Sequence, residues 1–175
     1  MVTTSTLQRI VLASRPHGAP TAENFRLESL PLPTPGAGEM LLRVLYLSLD
    51  PYMRGRMNER KSYVPPLQIN EVMDGGTVAQ VMQSKHPEYH VGDIVLSHSG
   101  WQTHALAAPE QILRRLDAAV APISTALGVY GMPGFTAWSA LDAIGKPKPD
   151  ETVVVAAASG PVGGTVGQIA RLRGA

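Results

Sequence analysis

Thr152-Val-Val-Val-Ala-Ala-Ala-Ser-Gly-Pro-Val-Gly163 is the stretch from which the architecture is read. Val153 to Ala158 is the longest unbroken apolar run in the chain, six residues without alternation. A strand buried on both faces of a parallel sheet has that character, because both rows of side chains meet apolar cover. A glycine-rich turn follows, and Val162 to Leu172 reads as a helix, with Gly174 where a helix C-cap belongs. The turn Ala158-Ser-Gly-Pro-Val-Gly163 fits G-x-G-x-x-G with alanine in place of the first glycine. At such a turn Gly160 lets the backbone approach a pyrophosphate and Gly163 lets the helix pack on its strand. The helix N-terminus supplies N–H groups and the positive end of its dipole. The plainer reading is a tight strand-to-helix turn with small residues for packing. The flanking strand and helix favour dinucleotide binding. The acidic or basic residue expected about 20 positions further on lies past Ala175.

Working backward, Thr136 to Ile144 has a helical apolar face at Ala137, Leu141 and Ile144, with Trp138 beside it and read, like Trp101, as core. Gly145-Lys-Pro-Lys-Pro-Asp150 ends that helix in a loop. Before about Pro122 the character is β. Leu7 to Leu12, Phe25 to Ser29, Met40 to Leu49, Gly75 to Met82, Gly92 to Leu96, Trp101 to Ala107 and Gln111 to Leu116 are candidate strands. Short strands punctuated by Gly, Pro and Asp predict a small barrel or sandwich. The expected division is therefore a β domain over 1–122 and, over 123–175, a linking helix and the first βα unit of a doubly wound sheet. One βα unit cannot cover both faces of its strand, so a fragment ending where the next strand should begin is expected.

The 175 residues include 17 glycines and 15 prolines, both above ordinary usage, which again favours strands and turns over a helical bundle. Apolar residues at 44% suffice for a core, and the low charged share of 17% is expected to reflect surface that is covered in the complete molecule. Fifteen Lys and Arg against 14 Asp and Glu leave a net charge of +1, which argues against nucleic-acid or membrane-surface partners. The absence of cysteine excludes disulfides, thiol catalysis and Cys-ligated zinc. Met1 to Ile10 lacks the apolar stretch of a signal peptide, so a soluble cytoplasmic protein is expected.

Four segments carry a more specific signal: Leu47-Ser-Leu-Asp-Pro-Tyr-Met-Arg-Gly-Arg-Met57, Gly128-Val-Tyr-Gly-Met-Pro-Gly-Phe-Thr-Ala137, Ala157 to Gln168, and Ser99-Gly-Trp101 following Val91-Gly-Asp-Ile-Val95. With them the chain resembles the NADPH-dependent double-bond reductases of the medium-chain dehydrogenase/reductase superfamily. The resemblance runs from about Leu7 to Ala175, and family members are longer than this chain. It implies a mixed α and β fold, a GroES-like β-barrel domain followed by the first βα unit of a truncated Rossmann domain. It also implies hydride transfer from NADPH to the β-carbon of an α,β-unsaturated ketone or aldehyde, and a homodimer at full length. Zinc-dependent members carry a cysteine and a histidine–glutamate pair; here Leu47 to Asp50 and Asn70-Glu-Val-Met-Asp74 stand at the corresponding places. No metal is therefore expected.

The resemblance places Tyr52 on the substrate side, its hydroxyl a useful donor, and Pro51 against the cofactor. Met132 and Thr136 line the nicotinamide pocket, and Gly160, Pro161, Val162 and Gly163 hold the pyrophosphate. The plainer readings are a tyrosine packed at a barrel mouth and a Thr136 that merely caps a helix. The five histidines, His17, His86, His90, His98 and His104, show no ligand spacing, and Arg54, Arg56, Arg60 and Lys61 read as a solvated loop. The catalytic proton donor and the grip on the NADP phosphate belong to later residues in this family, so no catalytic residue is named and the 175 residues alone are expected to be inactive. Two alternatives stay open, a quinone reductase of the same superfamily and a non-catalytic GroES-like binding module, the second having no use for the Ala158 to Gly163 turn. The longer protein is expected to keep its activity after exhaustive chelation; activity abolished by a chelator and restored by zinc would contradict the metal-free reading.

Overall fold

The computed structural model describes residues 6–60 and 64–175. The chain divides into two compact units, Met1–Ala118 and Ala119–Ala175. In the first, β1 (Thr6–Leu12) and β2 (Phe25–Pro31) form an antiparallel ribbon. β3 (Met40–Leu47), β4 (Thr77–Ser84), β5 (Ile94–Ser97), β6 (His104–Ala107) and β7 (Ile112–Leu116) form a five-stranded antiparallel sheet in the order β6-β3-β4-β5-β7. Isolated bridges at Arg9–Gln102 and Val11–Val72 tie the ribbon to the segments that precede β6 and β4. Each of the seven expected strands is present, and the GroES-like barrel is built from these two sheets.

The alternation read in the sequence becomes a core. Met40 and Leu42 on β3 meet Ala79 and Val81 on β4, Val95 on β5 and Ala107 on β6, with Tyr89 and Ile112 at the margin. Leu42, Val81 and Val95 are fully buried, each stabilising the fold by about 1.5–3 kcal/mol relative to exposure. Irregular register on β3, at Leu41/Leu42 and Val44/Tyr46, bends the strand as it leaves this core. A second cluster, Leu12, Met57, Leu67 and Met73, lies under the stacked rings of Phe25 and Trp101, whose centroids are 5.7 Å apart. A five-residue helix, α1 (Tyr52–Arg56), follows β3 and contributes the buried Met53.

The second unit holds α2 (Met132–Ala140) and α3 (Pro161–Leu172), which pack together. Helix α2 starts at Met132 rather than at the expected Thr136. Pro133 sits in its first turn, where a missing N–H costs nothing. It ends in a wider turn over Leu141–Gly145 closed by Lys146 N–H to Leu141 O, 2.7 Å. Ala137 and Leu141 are buried as expected, but Ile144 is 83% exposed, because that turn shifts it off the apolar face, and Trp138 is also exposed. Gly174, with φ +85°, ends α3, and its carbonyl accepts from Asp150 N–H at 2.9 Å.

One expected element is corrected. Residues 151–155 carry no strand ladder, and Val154 is 89% exposed. A parallel strand exists through its neighbours' hydrogen bonds, and the second unit contains no other strand among the described residues.

His104 on β6 pairs with Arg43 on β3. Burial, and secondarily the Arg43 charge, hold its imidazole below the ordinary 6.5. The neutral ring is thus favoured in the folded state. Its contribution is fully present above pH 6.5 and is lost as pH falls through the folded value. In the longer protein the His104 ring resonance should titrate below 6.5, and His104→Gln should flatten the acid limb of stability between that value and 6.5. An ordinary or raised titration would contradict the burial argument.

Candidate functional site

The residues singled out in the sequence fall into one group in each unit. In the first, Pro51 is the N-cap of α1 and Tyr52 its first residue. Tyr52 is half-buried, and its hydroxyl donates to Asp74 Oδ2 at 3.5 Å. At 3.5 Å this is a long, weak contact, so the proton stays available to a ligand acceptor. Burial, then the charges of Asp74 and Asp50, push the phenol up to about 12, so it stays neutral through the working pH range.

Arg56 lies one helical turn beyond Tyr52, which puts both on one side of α1. Its guanidinium Nη1 donates to Asp74 Oδ2. The solvated-loop reading is therefore wrong for Arg56, and also for Arg54, which donates to the carbonyls of Pro16 (3.2 Å) and Gly18 (2.8 Å) and to Asn58 (2.8 Å). A solvated loop was inferred because charge runs usually face water, but here helical spacing turns both arginines onto acceptors distant in sequence. Arg60 is exposed, and Lys61 lies outside the described residues. His98 Nδ1 comes within 4.0 Å of Asp74 Oδ1. Arg56, Asp74, His98, Ser99 and Gly100 help line a cleft of about 300 Å³.

Two close approaches assemble this group. A Cβ on Gly75 would lie 2.8 Å from Leu47 Cδ1 and 3.0 Å from Met53 Cε, so a side chain there would press on the flexible ends of both residues where the segment carrying Asp74 meets α1. Gly100 has φ +75°, and a Cβ there would lie 2.5 Å from Met73 O, so the loop carrying His98 needs glycine twice over. Sequence reading did not bring Asp74 and His98 together, since 24 positions separate them; the flagged Ser99-Gly-Trp101 was the nearest signal.

In the second unit Gly160 is the N-cap of α3, followed by Pro161, Val162 and the buried Gly163. A Cβ on Gly163 would lie 2.1 Å from Ala157 O and 2.7 Å from its carbonyl carbon, whereas one on Gly160 would come no nearer than 3.6 Å to Ala157 O. Gly163 is therefore demanded by the packing of helix on turn. Gly160, in ordinary extended backbone, is not demanded by the protein itself. Helix geometry leaves the first N–H groups without intrahelical acceptors, so Val162 and Gly163 present donors at the α3 N-terminus. Met132 opens α2 and is exposed; Thr136 is inside the helix, not a cap, and its hydroxyl donates to Met132 O at 2.8 Å. No group of three His, Asp or Glu able to hold a metal occurs among the described residues, and no helix among them is long and apolar enough to cross a membrane.

Residues 8–114 match the family described as the N-terminal domain of oxidoreductase. The chain belongs to that family. It is 58% identical over 167 residues to the NADPH-dependent curcumin reductase of Escherichia coli, covering 95% of this chain and 48% of that protein. It is 42% identical over 160 residues to rabbit (Oryctolagus cuniculus) prostaglandin reductase 1, covering 90% and 44%. The crystal structure of CurA from Vibrio vulnificus in complex with NADPH superposes with a TM-score of 0.87 at 57% identity, over 95% of this chain and 49% of that one. The chain thus spans about half the length of the curated relatives it matches.

The two glycines separate experimentally. In the longer protein Gly163→Ala should lower unfolding free energy by about 1–3 kcal/mol through overpacking, against the usual helix gain from alanine. Gly160→Ala should leave stability within about 0.5 kcal/mol. Urea unfolding of the two variants checks this, and equal stabilities would show that the Ala157 carbonyl does not set the requirement.

Proposed function

We propose that the longer protein carrying these residues is an NADPH-dependent reductase of the carbon–carbon double bond of α,β-unsaturated ketones and aldehydes. The observation that carries this reading is the Gly160–Gly163 cradle, with no room for a side chain at Gly163, in a chain 57% identical to CurA, whose structure contains NADPH. A purely β binding module has no use for such a turn. The glycine-lined helix start fits a pyrophosphate, with Val162 and Gly163 N–H groups and the α3 dipole as its partners. By resemblance, Met132 and Thr136 lie on the nicotinamide side, with Pro51 against the cofactor.

Bound NADPH supplies a hydride. The substrate's β-carbon accepts it, the double-bond electrons move toward the carbonyl as an enolate, and a proton then reaches the α-carbon. The saturated carbonyl compound and NADP⁺ are the products. This chain's contribution is to bind and orient. Tyr52, neutral and half-buried, presents a phenol to the substrate side. A homodimer working in the cytoplasm belongs to the same reading and rests on the resemblance alone.

Full-length protein should consume NADPH with an enone and release the saturated ketone. Consumption with quinones but with no enone would replace this reading by the quinone reductase one. Tyr52→Phe should lower enone kcat/KM by roughly tenfold, the worth of about one hydrogen bond, with NADPH affinity nearly unchanged. Gly163→Val should raise the NADPH dissociation constant by roughly ten- to several-hundredfold through loss of one or two charge-assisted bonds. Fluorescence titration of NADPH into both variants measures the contrast. Parent-like NADPH binding by Gly163→Val would show that this turn does not hold the pyrophosphate.

A further inference from the structure

Asp74 is the meeting point of three side chains that the fold delivers separately. Tyr52 and Arg56 come from α1, and His98 comes from the turn after β5. Arg56 and Tyr52 both donate to Asp74 Oδ2, and His98 Nδ1 stands 4.0 Å from Oδ1. The Arg56 and Asp74 side chains are only 21% and 19% exposed, so the pair is shielded from much of the screening that weakens surface ion pairs. In the Tyr52 contact the phenol is the donor and the carboxylate the acceptor, over a long 3.5 Å.

We propose that Asp74 is a positioning residue, held in place by Arg56, that fixes the place of the Tyr52 oxygen on the substrate side. This rests on the reading of Tyr52 as a substrate-side group. The competing role is a clasp, in which Asp74 and Arg56 tie α1 to the segment before β4 and Tyr52 is incidental. The two roles differ in one respect. A positioning residue acts through the Tyr52 oxygen and has nothing to act through once that oxygen is gone. A clasp works equally well with phenylalanine at position 52. The raised phenol value supports the first role, since Asp74 is one of its causes.

A double-mutant cycle on the full-length protein decides between them. Asp74→Asn should lower enone kcat/KM by about five- to tenfold, with NADPH affinity within about twofold of the parent. In a Tyr52→Phe background the same change should cost less than about twofold. An equal loss in both backgrounds overturns the proposal while leaving Tyr52 on the substrate side. If Tyr52→Phe alone leaves enone kinetics at the parent level, the reading of Tyr52 fails and takes the Asp74 role with it. Alkaline difference absorbance offers a readout independent of turnover. Asp74→Asn should move the Tyr52 ionisation down from about 12, and an unmoved ionisation also overturns the proposal. Should Asp74→Asn not fold, because Arg56 is left with an uncompensated charge, Arg56→Met with Asp74→Asn removes both charges and takes its place in the same cycle.

Discussion

The packing of β3 between β6 and β4 is the constraint on which the first unit depends. Met40 and Leu42 are fully buried, and β3 pairs with β4 along most of its length on one side while carrying β6 on the other. Its register irregularities turn the chain out of the core at Tyr46 and Leu47. The Ser48 N–H then donates to Gly76 O at 2.9 Å, which pins the exit of β3 to the approach to β4. Helix α1 begins four residues later, so the position of Tyr52 is inherited from the core and not set by α1, which is too short to be stable alone.

From that exit the site follows by two close approaches. Gly75 brings the Asp74 segment against Leu47 and Met53, and Gly100 brings the His98 loop against Met73. The polar group formed by Tyr52, Arg56, Asp74 and His98 is therefore a product of backbone proximity, which a side chain at Gly100 would forbid. The group is linked to structure as well as to chemistry. Arg56 joins α1 to the loop before β4, while Met57, the residue after it, is buried in the cluster with Leu12, Leu67 and Met73. A substitution at Asp74 thus touches both the placement of α1 and the polarity around Tyr52, which is why its role has to be read through Tyr52 and not through stability alone.

The second unit is organised by a different rule. Its helices pack on each other through small residues, Ala137, Gly163 and Ala170 being buried, and through Arg173, which bonds Leu141 O at 3.3 Å and Asp142 Oδ1 at 3.0 Å. The apolar segment 153–155 has no partner strand here among the described residues, and Val154 in it is exposed. The relatives are about twice as long, and the apolar composition of this segment matches a strand that draws its hydrogen bonds and cover from residues further along such a chain.

Sequence alone determined the strands of the first unit, the helix after the glycine turn and the demand for glycine at position 163. Each depends on local composition or local sterics: Met40 to Leu47 and Thr77 to Ser84 are short runs rich in apolar residues, and Gly163 meets a carbonyl six residues away. Sequence also carried enough motif to mark Pro51, Tyr52 and Gly160 to Gly163. It did not determine where α2 begins, which Pro133 decides, or whether Val153 to Ala157 is a strand, since a ladder belongs to neighbours and not to the segment itself. Nor did it foretell that Tyr52, Arg56 and His98 converge on Asp74. Those residues lie on α1, before β4 and after β5, and their distances are set by the antiparallel pairing of β3, β4 and β5. Long-range pairing is the information that a one-dimensional pattern does not hold, and the tertiary structure supplied it.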